Sequence, residues 1–253
     1  MLKTFGLRGR EVAITVYGPR GTRALLEALG VVVGRVAYPL EVVELGPDES
    51  VALGDYRIET FAVAHRTTAV GYALREDERP GRFDVSAADA LGVASGPLRG
   101  ALQRGEGVTL QDGRVVRPAD VLGAPRRGRT VVITGDTAPA ASVVEAAAGA
   151  DVLVHEATFL ADERARAKET GHSTAAEAAL VAREAGVGLL ALTHLSARYS
   201  VSEVAEEARA LFPQTVVPRD FDLLEVPLPE RGAPKLVARG GRRGPREDVG
   251  SAA

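Results

Sequence analysis

Residues 151–159 read DVLVHEATF, a short apolar strand that ends in a histidine and a glutamate. Two similar runs flank it along the chain, TVVIT at residues 130–134 and LLALT at residues 189–193. Short apolar runs that alternate with helix-forming segments are typical of strands buried in an α/β sheet. The second half of the chain is therefore predicted to be α/β, with polar side chains gathered where the strands end.

Outward from these strands, the hydrophobic pattern and the turn residues predict the remaining elements. Helices are expected at residues 143–148, 173–186 and 202–212, and a last strand at 221–226. Toward the amino terminus we expect a helix at residues 22–29, ended by Gly30, and strands at 12–17, 42–45, 51–53, 57–64 and 71–75.

Residues 77–128 are rich in glycine and proline and lack a long apolar period, which predicts an insertion that leaves the core. Between residues 96 and 130, seven arginines and three acidic residues give a net charge of +4, whereas the whole chain carries −3. The segment is interpreted either as a solvated loop or as an arm that grips a phosphate backbone. Residues 230–253 are Arg- and Gly-rich and predicted to be a disordered tail, which leaves residues 1–229 as the folded domain.

Composition excludes several classes of function. The chain of 253 residues has no cysteine, so a disulfide framework, a Cys₄ zinc site and a thiol nucleophile are excluded. Aromatic residues are only 4%, without tryptophan, which argues against a stacking platform for bases. No apolar run approaches the roughly 20 residues that span a bilayer, so we expect no membrane partner and a cytoplasmic location.

The four histidines of the chain are placed in a pattern. His65 and His194 directly follow predicted strands, as does the pair Gly135-Asp136, and His172 precedes a predicted helix. A single histidine at a strand end is ordinarily a satisfied polar residue. Several of them beside a carboxylate suit a Zn²⁺ or Mn²⁺ site, including a two-metal hydrolytic site. Their spacing alone does not name the reaction.

Four segments together resemble the ribonuclease Z family: GDT at residues 135–137, DVLVHEATF at 151–159, GHST at 171–174 and LTHLSARY at 192–199. The resemblance extends from about residue 1 to about residue 227. It implies the metallo-β-lactamase fold, an αββα sandwich, and a zinc-dependent endoribonuclease that removes the 3′ trailer from tRNA precursors. By the same resemblance, His65 is a ligand of the first zinc, Asp136 bridges both zincs and His194 is a ligand of the second.

The resemblance also assigns roles around these ligands. His172 is expected near the scissile phosphate, where it assists proton transfer, and His155 with Glu156 is expected to orient a ligand or His172. Residues 77–128 match the family's flexible arm, which clamps tRNA. The arm residues implied here are Gly96, Pro97, Arg99 and Arg104. The family's enzymes are homodimers with two zinc ions per subunit.

One departure from the family is severe. Its His-x-His-x-Asp-His motif, which supplies further zinc ligands and an Asp that deprotonates the attacking water, is absent, since no histidine precedes His65. Residues 1–5, MLKTF, resemble the helix that follows this motif. We therefore expect a sandwich that is incomplete at the amino terminus, and a chain that is inactive and prone to aggregate. Two alternatives remain open: a non-catalytic RNA-binding or dimerising remnant of the family, and another phosphodiesterase of the same fold.

Overall fold

The computed structural model describes residues 1–237, which form eight α-helices and thirteen strands. The helices are α1 (Leu2–Leu7), α2 (Thr22–Val33), α3 (Val85–Ala90), α4 (Pro97–Gln103), α5 (Ala141–Ala146), α6 (Arg164–Thr170), α7 (Ala175–Ala185) and α8 (Val201–Leu211). The strands are β1 (Ile14–Gly18), β2 (Leu40–Glu44), β3 (Ser50–Ala52), β4 (Tyr56–Ala62), β5 (Val70–Glu76), β6 (Val108–Thr109), β7 (Val115–Val116), β8 (Thr130–Ile133), β9 (Val152–Glu156), β10 (Leu189–Thr193), β11 (Thr215–Val216), β12 (Leu223–Glu225) and β13 (Lys235–Val237).

A seven-stranded mixed sheet forms the centre, in the order β11-β10-β9-β8-β5-β4-β3. Strands β8 to β11 pair in parallel, whereas β3, β4 and β5 pair antiparallel with one another and β5 pairs antiparallel with β8. Two antiparallel steps separate β4 from β8, so these strands run in the same direction. The carboxyl ends of β4, β8, β9 and β10 therefore meet at one edge of the sheet.

Helices α5, α7 and α8 cover one face of this sheet and enclose the main core. Val132, Leu153 and Leu190 point to this face from adjacent strands and are fully buried. The buried side of α7 is built from alanines, among them Ala178 and Ala182. Small side chains let the helix approach the sheet closely. Helix α7 ends at Gly186, which is in the left-handed conformation.

A smaller layer lies on the other face of the sheet. Strands β1 and β2 pair in parallel, α2 packs against β2, and the Tyr72 hydroxyl donates to the Tyr17 carbonyl at 3.4 Å. The resulting order of layers, α-β-β-α, confirms the predicted fold class. The smaller layer leaves part of the face open, as shown by Ile133, the last residue of the central strand β8, which is 46% exposed.

The insertion at residues 77–128 folds as a small unit with its own apolar core. It contains two short helices, α3 with six residues and α4 with seven. It also contains the β6–β7 hairpin, in which each strand has two residues. Such short elements produce no long apolar period, which is why the sequence pattern showed only a Gly- and Pro-rich segment. Backbone bridges between Arg79 and Arg126 and between Phe83 and Leu122 close the base of the unit.

The prediction of a disordered tail from residue 230 is wrong for residues 230–237. Strand β13 pairs antiparallel with β12, and the Glu230 carboxylate forms ion pairs with Arg79 and Arg126 at 2.9 and 3.0 Å. Composition suggested disorder because the segment has almost no apolar period and the arginines that pair with Glu230 lie more than a hundred residues away in the chain. The rest of the predicted tail, residues 238–253, lies outside the described residues. Within residues 1–237 no helix combines the length and apolarity needed to cross a membrane.

Candidate metal centre

Three imidazoles and one carboxylate converge at the edge where β4, β8 and β10 end. His65, Asp136 and His172 each place a ligand atom within 4.8 Å of the others. The Nε2 atom of His194 lies 3.5 Å from Oδ1 of Asp136. The ring of His172 lies between the other two, with centroid distances of 5.1 Å to His65 and 5.3 Å to His194. The structure thus brings together the three predicted ligands and His172.

Local backbone geometry sets the direction of these side chains. Gly135 precedes Asp136 with φ of +64°, and Gly171 precedes His172 with φ of +76°, a region that glycine enters without steric cost. His194 itself has φ of +55°, which is uncommon for a residue with a Cβ atom. Strained backbone of this kind clusters at functional sites, where the surrounding structure holds it in place.

All three imidazoles are held through Nδ1. His65 Nδ1 donates to the Gly171 carbonyl at 2.9 Å, and His172 Nδ1 donates to Oε1 of Glu156 at 2.7 Å. His194 Nδ1 lies 2.8 Å from the hydroxyl of Thr158. Metal-binding histidines are commonly anchored through one ring nitrogen in this way, which leaves the other free to bind the ion.

The buried carboxylate of Glu156 organises one side of the cluster. Five donors meet its two oxygens: the backbone N–H groups of Thr137, Thr158 and Ser173, the Thr158 hydroxyl and Nδ1 of His172. A charge buried this deeply is tolerated only when it is fully hydrogen-bonded. The expectation that Glu156 orients His172 agrees with this geometry.

His155 does not join the cluster, because adjacent residues on a strand point to opposite faces of the sheet. Its Nδ1 donates to the Glu156 carbonyl at 2.7 Å, and its Nε2 is buried without a hydrogen-bond partner among the described residues. Burial lowers the pKa of the His155 imidazole below its usual value. His155 was expected to orient a ligand or His172 together with Glu156. In the structure it lies in the helix-covered core instead.

The predicted arm residues make more contacts within the protein than the net charge of the segment indicated. Gly96 and Pro97 begin α4. Arg99 is mostly buried, where it pairs with Asp89 and donates to the Val93 carbonyl at 2.8 Å. Arg104 is exposed and pairs with Glu106 at 2.9 Å. Their role in binding tRNA stays a prediction, and Arg99 has the weakest geometric case.

Sequence reasoning assigned no role to Thr137 and Thr158, although both lie in the segments that carry the resemblance. The Thr137 hydroxyl accepts from the backbone N–H of Ala64, which joins the turn after β4 to the turn after β8. Hydroxyls carry no strong sequence signal, because any threonine near a strand end has the same local pattern.

The donor set fits a transition metal. Imidazole nitrogens with a carboxylate oxygen are the ligands that Zn²⁺ and Mn²⁺ take in hydrolytic sites. His65, Asp136 and His172 place ligand atoms within 4.8 Å of one another, and His194 adds a fourth donor group beside Asp136. Two catalytic ions with about three protein ligands each would need more than this.

The fold is that of the metallo-β-lactamase proteins, and the cluster at the sheet edge has the donor groups for a metal ion. Human tRNase Z, short form, is similar over 89% of this chain and 72% of its own, with a TM-score of 0.56 and 21% identity. The metallo-β-lactamase fold protein YhfI from Bacillus subtilis covers 82% of this chain and 63% of its own, with a TM-score of 0.52 and 20% identity.

Sequence comparison identifies the particular family. Ribonuclease Z of Myxococcus xanthus is 50% identical over 233 residues, which are 91% of this chain and 76% of the relative. Ribonuclease Z of Gemmatimonas aurantiaca is 48% identical over 235 residues, 91% of this chain and 75% of the relative. No family model matches the chain. The chain belongs to the ribonuclease Z family, the hydrolytic endonucleases that act on phosphodiester bonds of tRNA precursors.

Proposed function

We propose that the chain carries the site for zinc-dependent endonucleolytic removal of the 3′ trailer from tRNA precursors. The observation that carries the proposal is the convergence of three imidazoles, each held through Nδ1, on Asp136 at one sheet edge. The similarity to ribonucleases Z over 91% of the chain supports the choice of substrate. A cytoplasmic location stays a prediction.

His65, Asp136 and His194 would hold the metal, for which zinc is our first choice and manganese the alternative. A bound ion of this kind lowers the pKa of a coordinated water toward about 7 and stabilises charge on phosphate oxygens. The protein's part is to present neutral imidazole nitrogens and a carboxylate in a fixed arrangement before the substrate arrives.

His172 is proposed to deliver a proton during hydrolysis. Water adds to phosphorus and releases one proton to solvent, the bond between phosphorus and the 3′-oxygen of the tRNA breaks, and the proton on Nε2 of His172 passes to that oxygen. His172 then regains a proton from solvent. The products are a tRNA with a 3′-hydroxyl and a trailer with a 5′-phosphate. The Glu156 carboxylate accepts from Nδ1 and orients the ring, as a buried carboxylate does beside other catalytic histidines.

The 253 residues by themselves are proposed to be inactive. Four donor groups cannot hold two metal ions with catalytic coordination, so binding is expected to be weak. A direct test compares precursor tRNA cleavage, with added Zn²⁺ or Mn²⁺, by this chain and by the chain preceded by a relative's His-x-His-x-Asp-His segment. We expect chelator-sensitive cleavage by the fusion and background activity from the chain alone.

The same assay separates the alternatives. A fusion that hydrolyses a small phosphodiester but no tRNA precursor would indicate another phosphodiesterase of this fold. A fusion that binds tRNA without cleaving it would indicate a binding remnant. Robust cleavage by the 253-residue chain would contradict the inactivity proposal and show that ligands other than the four named here complete the site.

A homodimer is also proposed, through the outer face of α2. Leu25, Leu29 and Val32 recur at helical spacing and are 59%, 45% and 84% exposed. A stripe of this kind is typical of a helix that packs against a partner. Sedimentation velocity should show a dimer that Leu25→Glu dissociates, whereas Val85→Glu on the arm, at a similarly exposed position, should leave it intact. A monomeric chain at micromolar concentration would rule the dimer out.

A further inference from the structure

The hydroxyl of Thr158 bridges two groups of the metal centre, and no step above uses it. Its Oγ1 atom lies 2.6 Å from Oε2 of Glu156 and 2.8 Å from Nδ1 of His194. A third neighbour, Nδ1 of His172, is farther away at 3.4 Å and already donates to Glu156 at 2.7 Å. Thr158 therefore has two close partners, one on each side.

The directions of these hydrogen bonds follow from donor counting. A threonine hydroxyl has one hydrogen to donate and lone pairs that accept. The Glu156 carboxylate already receives four other donors, so it acts as an acceptor throughout. The hydroxyl hydrogen of Thr158 must then go to Glu156. Its lone pair is left to accept from an N–H at Nδ1 of His194.

The consequence reaches the other ring nitrogen of His194. With the hydrogen on Nδ1, the neutral ring carries a lone pair on Nε2, which lies 3.5 Å from Oδ1 of Asp136. A lone pair and a carboxylate oxygen repel each other unless a proton or a metal ion lies between them. The Thr158 hydroxyl, on the other side of the ring, thus leaves His194 Nε2 and Asp136 Oδ1 free to bind a cation.

We propose that Thr158 is a positioning residue that holds His194 in its Nδ1–H tautomer and so presents Nε2 to the metal ion at Asp136. The inference rests on the proposed function only in taking His194 and Asp136 as ligands. Glu156 then acts on two imidazoles: it orients His172 directly and His194 through the Thr158 hydroxyl.

The test uses the 253-residue chain labelled with ¹⁵N at its four histidines. Solid-state NMR of the sedimented protein reports which ring nitrogen of each histidine carries a proton, whatever the association state. His194→Gln assigns the His194 signals by their loss. The variants are Thr158→Val, which keeps the shape but lacks the hydroxyl, and Thr158→Ser, which keeps the hydroxyl. Thr130→Val is the matched control, at a half-buried threonine of β8 whose hydroxyl makes no hydrogen bond within residues 1–237.

In the wild-type chain we expect His194 to be protonated at Nδ1 and unprotonated at Nε2. Thr158→Val should mix or reverse this tautomer, while Thr158→Ser and Thr130→Val keep it. Zinc affinity, measured by competition with a chromophoric chelator, should fall about 10–100-fold in Thr158→Val and stay near the wild-type value in the other two.

Three results would overturn the proposal. The first is a wild-type His194 protonated at Nε2, which decides the matter even if no variant folds. The second is a Thr158→Val chain with unchanged tautomer, whatever its zinc affinity. The third is a Thr158→Ser chain as impaired as Thr158→Val, which would indicate a packing role for the methyl group. None of these readouts involves RNA, so a failure of the proposed substrate would leave this inference standing.

Discussion

At the scale of single residues, the site depends on which hydrogen-bonding atoms face one another. Glu156 is the clearest case, since its two oxygens receive five donors in a region closed to water. A buried donor that loses its acceptor costs far more than the average hydrogen bond contributes. The same carboxylate therefore supports both the stability of the sheet edge and the orientation of His172.

Glu156→Gln should destabilise the chain while keeping its shape. The amide NH₂ of glutamine must replace one acceptor oxygen, so that at least two N–H or O–H donors lose their partner. We expect the free energy of unfolding to fall by about 1–3 kcal/mol, measured by urea denaturation. Glu169→Gln, at an exposed position on α6, is the control and should change it by less than about 0.5 kcal/mol. An unchanged stability in Glu156→Gln would show that the five donors find other partners.

At the scale of elements, the base of the arm and the carboxyl-terminal segment are held together by ion pairs. Arg79 and Arg126 of the arm base meet Glu230, while Arg129 pairs with Glu76 and donates to the Val226 carbonyl. Hydrogen bonding from Arg79, with a smaller effect from the charge of Arg126, lowers the pKa of the Glu230 carboxyl to about 2. The segment that leads into strand β13 is thereby held against the base of the arm through Glu230.

This tie should weaken in acid. Because the pKa of Glu230 is lower in the folded chain than its ordinary value of 4.5, its contribution to stability is complete above that value and is lost as the pH falls toward about 2. Glu230→Gln should therefore lower the melting temperature at pH 7, and the difference from the wild type should shrink as the pH falls below about 4.5. Glu225→Gln, in the exposed pair with Lys235, should have almost no effect at any pH.

The arm should govern tRNA affinity rather than metal binding. Residues 84–124 can be replaced by two glycines, because the bridge between Phe83 and Leu122 brings the ends of the segment together. We expect the dissociation constant for precursor tRNA, measured by filter binding, to rise, and its dependence on salt to become less steep as phosphate contacts are lost. Zinc affinity serves as the internal control and should not change. Equal loss of both affinities would place the segment in the metal-binding core.

At the scale of the whole molecule, the two faces of the central sheet differ. Helices α5, α7 and α8 cover most of one face, whereas the β1–β2 layer leaves Ile133, at the carboxyl end of the central strand on the other face, 46% exposed. Exposed apolar surface on a sheet is a site for association with other chains. The expectation that the 253-residue chain aggregates is consistent with this asymmetry and stays a prediction.

Replacing the exposed apolar side chain should reduce that association. Ile133→Thr keeps a β-branched residue in the strand and removes apolar surface. We expect lower light scattering and a narrower size distribution at micromolar concentration. Val115→Thr, on the exposed side of the arm hairpin, removes similar surface away from the sheet and should not help. If both variants scatter like the wild type, the association arises elsewhere, with α2 as the first candidate.

The sequence alone determined the α/β class, the edge that carries the site and the candidate ligands. Strand ends and their flanking residues are local patterns, and parallel strands necessarily bring such ends together. Only the tertiary structure decided that Arg99 lies in internal contacts, that β13 is ordered, and that Thr158 links Glu156 to His194. Each of these depends on atoms that the fold brings into contact, and on which atom of a side chain faces its partner. These contacts cannot be inferred from local sequence patterns, because they form only when distant segments pack together.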